Sequence, residues 1–405
     1  MNYAEAVDYL FSRLPMYQRD GKSAYKKDLT NTIALLEHLG NPHRKIKSIH
    51  IAGTNGKGTS AHGIAAILQI SGYKTGLYTS PHLKNFTERI RINGQEVHES
   101  FVVEFVFGIQ QAINEIGPSF FEITVAMAFE YFARQEVDVA VIETGLGGRL
   151  DSTNVITPEV CLITNVGYDH MDVLGDTLKK VASEKAGIIK KGVPVVVGDY
   201  HEDTYPVFAE KAKEMKAELI LAQSQEEKLL AASLPYHKMK NASAILTLTS
   251  ELRNLGWKIE DDNAMKGLYQ METLTGLKGR HQILSSNPLI IADVAHNVEG
   301  LTALFGSLKT NKGKLHLVFG TVKDKDLTPI FGTFPEDIAI YWTQSHVPRS
   351  LGVMELCELG RQNELEGKSY ENANAALSHA KNNATPEDVI LVTGSTFVVA
   401  ELDEL

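Results

Sequence analysis

Short, unbroken apolar runs recur along the chain, each followed by a polar, glycine-bearing loop and then by apolar residues at helical spacing. The runs cover 47–52, 74–79, 137–142, 160–164 and 193–197, and a second series covers 289–292, 315–319, 338–342 and 389–393. Runs without polar alternation are apolar on both sides, which predicts parallel strands covered by helices on both faces. The segment after the first run shows the helical half of the pattern. Ala61, Ile64, Ala65 and Leu68 fall on one stripe, and Gly72 closes it after Ser71. Residues 176–190 predict another helix, with Val181, Lys185, Ile188 and Ile189 on one face.

Two such series predict two α/β domains, as the 405-residue length also does, since one hydrophobic core rarely grows that large. Glycines interrupt the periodicity at 273–279, so the expected division is 1–276 and 277–405. In open parallel sheets ligands collect beyond the carboxyl ends of the strands. The loops after the runs are therefore where chemistry is expected.

Composition narrows the classes. The net charge of −10 disfavours a nucleic-acid binder, which needs a basic surface. No apolar run reaches the ~18 residues of a membrane span, and the first residues lack a signal-peptide pattern, so a cytoplasmic protein is expected. Cys161 and Cys357, far apart and set among apolar residues, read as buried reduced thiols.

The first run leads into Gly53-Thr54-Asn55-Gly56-Lys57-Gly58-Thr59 and then a helix. Glycines let the backbone curl so that amides point at phosphate oxygens. The helix N-terminus and Lys57 add positive charge, and the Thr59 hydroxyl can hold magnesium. The usual nucleotide loop has Ser or Thr directly after Lys, whereas Gly58 intervenes here. The first loop does not fit the dinucleotide fingerprint of dehydrogenases.

That loop closely resembles the ATP loop of the Mur ligase superfamily, in its folylpolyglutamate synthase and dihydrofolate synthase branch. Further stretches resemble the family in order: Tyr78-Thr79-Ser80-Pro81-His82-Leu83, Phe86-Thr87-Glu88-Arg89-Ile90, Phe121-Glu122-Ile123-Thr124 and 143–151. Gly167-Tyr168-Asp169-His170, 184–188, Asn241-Ala242, Gly279-Arg280 and 293–297 follow. Val294, Val298 and Leu277-Lys278 depart from the family, which often has Gly, Pro and Trp-Pro there. The resemblance implies an N-terminal P-loop-type ATPase domain with a central, mostly parallel sheet, then a smaller Rossmann-like domain. It implies an ATP-dependent ligase that activates a folate γ-carboxylate as an acyl phosphate and joins it to L-glutamate. Dihydropteroate is a further acceptor in many bacterial members.

Such a reaction brings two anions together, so magnesium is expected. Ser80, Glu143 and His170, each after a run, join Thr59 as candidate ligands. Ser80 taken alone reads as a turn hydroxyl and a lone His170 as structural, while the setting Tyr168-Asp169-His170 and the resemblance point to His170 as a ligand. Glu143 ends an apolar run, where a carboxylate needs a cationic partner. Lys57 and Arg280 can neutralise phosphate. By resemblance Asn241 and Asp293 contact the nucleotide, and His296 approaches the phosphates or serves a turn. Phe120, Phe121, Glu122, Arg149 and Asp151 are the folate-side candidates, although both phenylalanines could equally be core. Arg349 is an exposed loop arginine or an anion holder.

Lys185 on its apolar stripe is desolvated, which favours the neutral amine. The matching family lysine is commonly carbamylated, which implies a carbamate that holds a second magnesium. The alternative is an ammonium paired with Glu184 or reaching water. Rival functions are another Mur-type ligase and a nucleotide-binding regulator without catalysis. A monomer is the expected state.

Overall fold

The computed structural model describes residues 1–16, 19, 28–225, 229, 236–308 and 313–405. The chain forms two compact units, Met1–Leu277 and Lys278–Leu405.

The first unit is built on eight strands: β1 (Ser48–Ala52), β2 (Thr75–Tyr78), β3 (Ile90–Ile92), β4 (Gln95–Glu96), β5 (Val139–Glu143), β6 (Val160–Ile163), β7 (Val195–Val197) and β8 (Leu219–Leu221). Their order is β4-β3-β2-β5-β1-β6-β7-β8. All ladders from β2 to β8 are parallel, and the β2–β3 and β3–β4 pairs are antiparallel.

Side chains alternate across a strand, so β5 feeds two cores. Ala140 and Ile142 pack with the helices Tyr3–Arg13, Glu99–Gly108 and Phe120–Arg134 on one face. Val139 and Val141 pack with the helices Lys57–Ile70 and Tyr236–Asn254 on the other. Because both faces are covered, these strands needed no polar positions.

The helix Lys57–Ile70 is buried nearly all round, from Gly58 through Leu68, and not only on the expected stripe. It lies beneath two further helices, Tyr236–Asn254 and Asp261–Tyr269, and Gly267 approaches Ile67 too closely for any side chain. The helix expected over 176–190 is shorter, Leu178–Ala186, with Gly187 as its C-cap. Val181 and Lys185 are on it, while Ile188 and Ile189 are buried just beyond it.

The second unit has six strands in the order β13-β12-β11-β14-β10-β9. They are β9 (Gln282–Ser286), β10 (Leu289–Ala292), β11 (Leu315–Phe319), β12 (Ile338–Trp342), β13 (Gly367–Ser369) and β14 (Val389–Thr393). Among the described strands of this sheet, β9 alone runs antiparallel to its neighbour. Thr273 to Thr275, expected as irregular chain, finish the short helix Met271–Thr275, and Gly276 stops it with φ of 66°. Both cysteines are free and buried. Among the described residues no helix is long and apolar enough to cross a membrane.

Candidate active site

Register brings the expected loops of the first unit to one level. Ile51 of β1 pairs with Glu143 of β5, Ala52 with Ile163 of β6, and Tyr78 of β2 with Ile142. The loops after these four strands therefore leave the same edge of the sheet, where ligands of parallel sheets collect.

The loop 53–56 is held by the chain after β6. The Thr54 amide donates to Asn165 O at 3.1 Å, and the Asn55 amide to Asn165 Oδ1 at 2.9 Å. Thr164 Oγ1 donates to Asn55 O at 2.7 Å, and the Gly167 amide to Thr54 Oγ1 at 2.9 Å. Glycine is required at two places in this loop. A Cβ at Gly53 would lie 1.8 Å from Thr164 Oγ1, and one at Gly56 would lie 2.3 Å from Asn241 Oδ1. Gly56 also has φ of 80° and starts the helix Lys57–Ile70 without a side-chain cap, so its first amides face the loop's concavity. Asn241 thus packs against the loop. Asn165 and Thr164, which shape it, carried no signal beyond their place directly after a strand.

Lys57 and Lys185 converge on one atom. Lys57 Nζ donates to Gly53 O at 3.1 Å and to Thr54 O at 3.2 Å, and Lys185 Nζ donates to Gly53 O at 2.8 Å. Lys185 is only 2% exposed. Burial pushes its pKa down to about 7, the nearby Lys57 charge adds to that, and Asp169 opposes it. Asp169 is buried, and its Oδ1 accepts the His170 amide at 3.0 Å. His170 itself has φ of 51° and begins the short helix Met171–Leu174.

Glu143 is 3% exposed, and its Oε2 accepts the Ser80 amide at 3.1 Å, so β2 and β5 are joined above the sheet. Among the described residues no three His, Cys, Asp or Glu side chains cluster to hold a metal. The Thr59, Ser80 and Glu143 oxygens still suit magnesium, which takes one or two carboxylates and completes its shell with phosphates and water.

The folate-side candidates lie in different settings. Phe120 is core, 5.0 Å from the Phe11 ring and with the Arg89 guanidinium 5.1 Å from its own ring centre. Phe121 is half-buried and lies so close over Gly145 that a Cβ there would meet its ring at 2.4 Å. The Glu122 carboxylate accepts the Ser119 amide at 2.7 Å and Thr32 Oγ1 at 3.2 Å, so it caps its own helix. Arg149 is exposed and pairs with Glu184 at 2.8 Å. The Asp151 carboxylate accepts from the Leu146 amide at 2.8 Å, the Thr153 amide at 3.0 Å and Thr153 Oγ1 at 2.6 Å. Its burial raises its pKa against those bonds. Thr153 Oγ1 also meets the buried His50 Nε2 at 2.8 Å.

In the second unit Asp293 follows β10 and accepts the His281 amide at 2.7 Å and the Ala295 amide at 2.8 Å. His296 Nδ1 meets Val294 O at 2.9 Å, and the Val294 amide donates to Gly279 O, beside Arg280. Arg349 is half-buried and ion-paired with Asp324.

Comparison with known proteins agrees in order and extent. The Mur ligase middle domain matches residues 51–260, and the Mur ligase glutamate ligase domain matches residues 279–396. The folylpolyglutamate synthase of Lacticaseibacillus casei is 32% identical over 432 residues, covering 99% of this chain and 97% of that one. Escherichia coli FolC, solved with DHPP and ADP, superposes with a TM-score of 0.86 at 30% identity, covering 99% and 96% of the two chains. A bifunctional folylpolyglutamate synthase/dihydrofolate synthase solved with Mn, AMPPNP and L-glutamate has a TM-score of 0.85 at 30% identity, covering 99% and 97%. With both domain families in sequence and this identity sustained from end to end, the chain belongs to the Mur ligase family, in its folylpolyglutamate synthase and dihydrofolate synthase branch.

Proposed function

We propose that the chain adds L-glutamate to the γ-carboxylate of reduced folates at the expense of ATP, and also converts dihydropteroate and glutamate to dihydrofolate. The observation that carries this reading is the strand-borne loop 53–59 directly beside the buried Glu143 carboxylate, in one level of the sheet. The acceptor carboxylate attacks the γ-phosphorus, the bond to the β–γ bridging oxygen breaks, and ADP leaves. The glutamate amine then attacks the acyl carbon, inorganic phosphate departs with its C–O electron pair, and the amine gives up a proton.

In this reading the loop amides orient the phosphates, and Lys57 leaves the Gly53 and Thr54 carbonyls for a phosphate oxygen. Two magnesium ions, when bound, cancel the repulsion between carboxylate and triphosphate. Thr59, Ser80 and Glu143 would hold one, and a carbamylated Lys185 with His170 would hold the other. Phe121 and Asp151 face the pterin, Asn241, Arg280 and Asp293 serve the nucleotide, and His296 neighbours its phosphates. The enzyme acts as a cytoplasmic monomer.

Two measurements test this. Purified protein given ATP, magnesium and glutamate should release ADP only when a reduced folate or dihydropteroate is added, and the product should gain one glutamate by mass. ADP release that ignores the folate overturns the reading. Glu143→Gln keeps shape and removes charge, so activity should fall at least about 10- to 100-fold, the loss that even outer-sphere metal partners cause. The melting temperature should hold. Near-normal activity at saturating magnesium removes Glu143 from the ligand set.

A further inference from the structure

The loop after β5 and the helix Leu178–Ala186 meet backbone to backbone. A Cβ at Gly148 would lie 2.7 Å from Glu184 O and 3.0 Å from Lys185 O, and one at Gly187 would lie 2.4 Å from Arg149 Cα. The Arg149 amide donates across this seam to Glu184 O at 2.7 Å. Asn154 then closes it. Its Nδ2 donates to Arg149 O on the loop and to Gly187 O just past the helix, each at 3.0 Å.

The orientation of that amide is determined by its partners. Both are carbonyls, which only accept, so a flipped amide would set oxygen against oxygen. Asn154 is buried, and its Oδ1 has no hydrogen-bond partner among the described residues. An acceptor is left idle so that both donors stay on the seam. The Asn154 backbone amide donates to Asp151 O at 2.8 Å, which closes the turn that the Asp151 side chain caps.

We propose that Asn154 is a positioning residue for Lys185. Its amide fastens the end of the lysine's helix to the Asp151 turn, and so fixes where Lys185 Nζ stands against the Gly53 carbonyl. The proposal rests on Lys185 taking part in the reaction. The Arg149 amide and the buried Val181, Ala182 and Ala186 hold the body of this helix, and the Asn154 amide holds the end that follows Lys185. A displacement of about 1 Å is enough to cost ~100-fold in rate.

The test uses the full chain and two variants. Asn154→Asp is isosteric but turns a carboxylate oxygen toward two carbonyls, and Asn154→Ser removes the amide without adding charge. Both should lower kcat by about 10-fold or more while KM for ATP and for glutamate stays within about twofold, as expected when supporting groups and not binding contacts are lost. Hydrogen exchange should quicken over 184–189 and not elsewhere, and the carbamate signal under 13C-labelled bicarbonate should weaken. Wild-type kcat in both variants overturns the proposal. So does faster exchange throughout the first unit, which marks general loss of fold. Lys185→Ala is assayed alongside. If it keeps turnover, the role of Lys185 fails and the proposal with it. If it is inactive while both Asn154 variants are wild-type-like, the proposal alone fails.

Discussion

Lys57→Ala should lower kcat by about 100- to 1,000-fold, the range for removing one preorganised group from a site of developing charge. Lys57 is the full charge on the loop itself, and its ammonium rests on the carbonyls of Gly53 and Thr54, within a side chain's swing of whatever the loop holds. The fold should tolerate the change. The loop's shape depends on Thr164, Asn165 and Gly167, and none of those bonds involves the lysine. Steady-state ADP release together with a melting curve decides it. A folded variant with normal turnover would refute the phosphate-loop assignment.

Lys185→Ala should cost several kcal/mol of barrier, about 100-fold or more in rate, if the lysine supplies metal-binding oxygens as a carbamate. A small carboxylate such as formate or acetate, added to fill the space, should restore part of the activity. The pH dependence has a definite sign. Desolvation and the Lys57 charge bring Lys185 down to about 7, so the amine is neutral above that value and protonated below it. Only the neutral amine adds carbon dioxide. Activity should therefore rise with pH through about 7, and more bicarbonate should extend the active range toward acid. A well-ordered crystal structure with a bare ammonium at Lys185, grown at neutral pH with bicarbonate, would count against the carbamate.

The α/β class was legible because strands covered on both faces are written as unbroken apolar runs. The runs 289–292, 315–319, 338–342 and 389–393 coincide with β10, β11, β12 and β14. Edge strands were not legible. β4 is two exposed residues, Gln95 and Glu96, and β9 is half-exposed along its length, so neither bears an apolar signature. The burial of Lys185 could be read from Val181 one turn before it. The place of Gly187 at its end could not, because what requires glycine there is the closeness of Arg149, a tertiary fact. The same holds for side chains whose partners are remote. Glu122 meets Thr32 and Asp151 meets a turn that leans on His50, and no local pattern announces either. Asn154 carried no signal at all.

The ladder partners of β1 impose an order in time. Among the described residues that strand pairs with β5 and β6 alone, and the Asn55 amide finds its acceptor on Asn165, 110 residues later. At a synthesis rate of ~5–20 residues per second, the loop 53–56 waits about 5–20 s after its own translation before that bond can form. Until β5 and β6 have followed, both edges of β1 are unpaired, the condition in which nascent chains aggregate. A fragment that ends before Asn165 contains the whole glycine motif and yet lacks the two oxygens that hold the Thr54 and Asn55 amides.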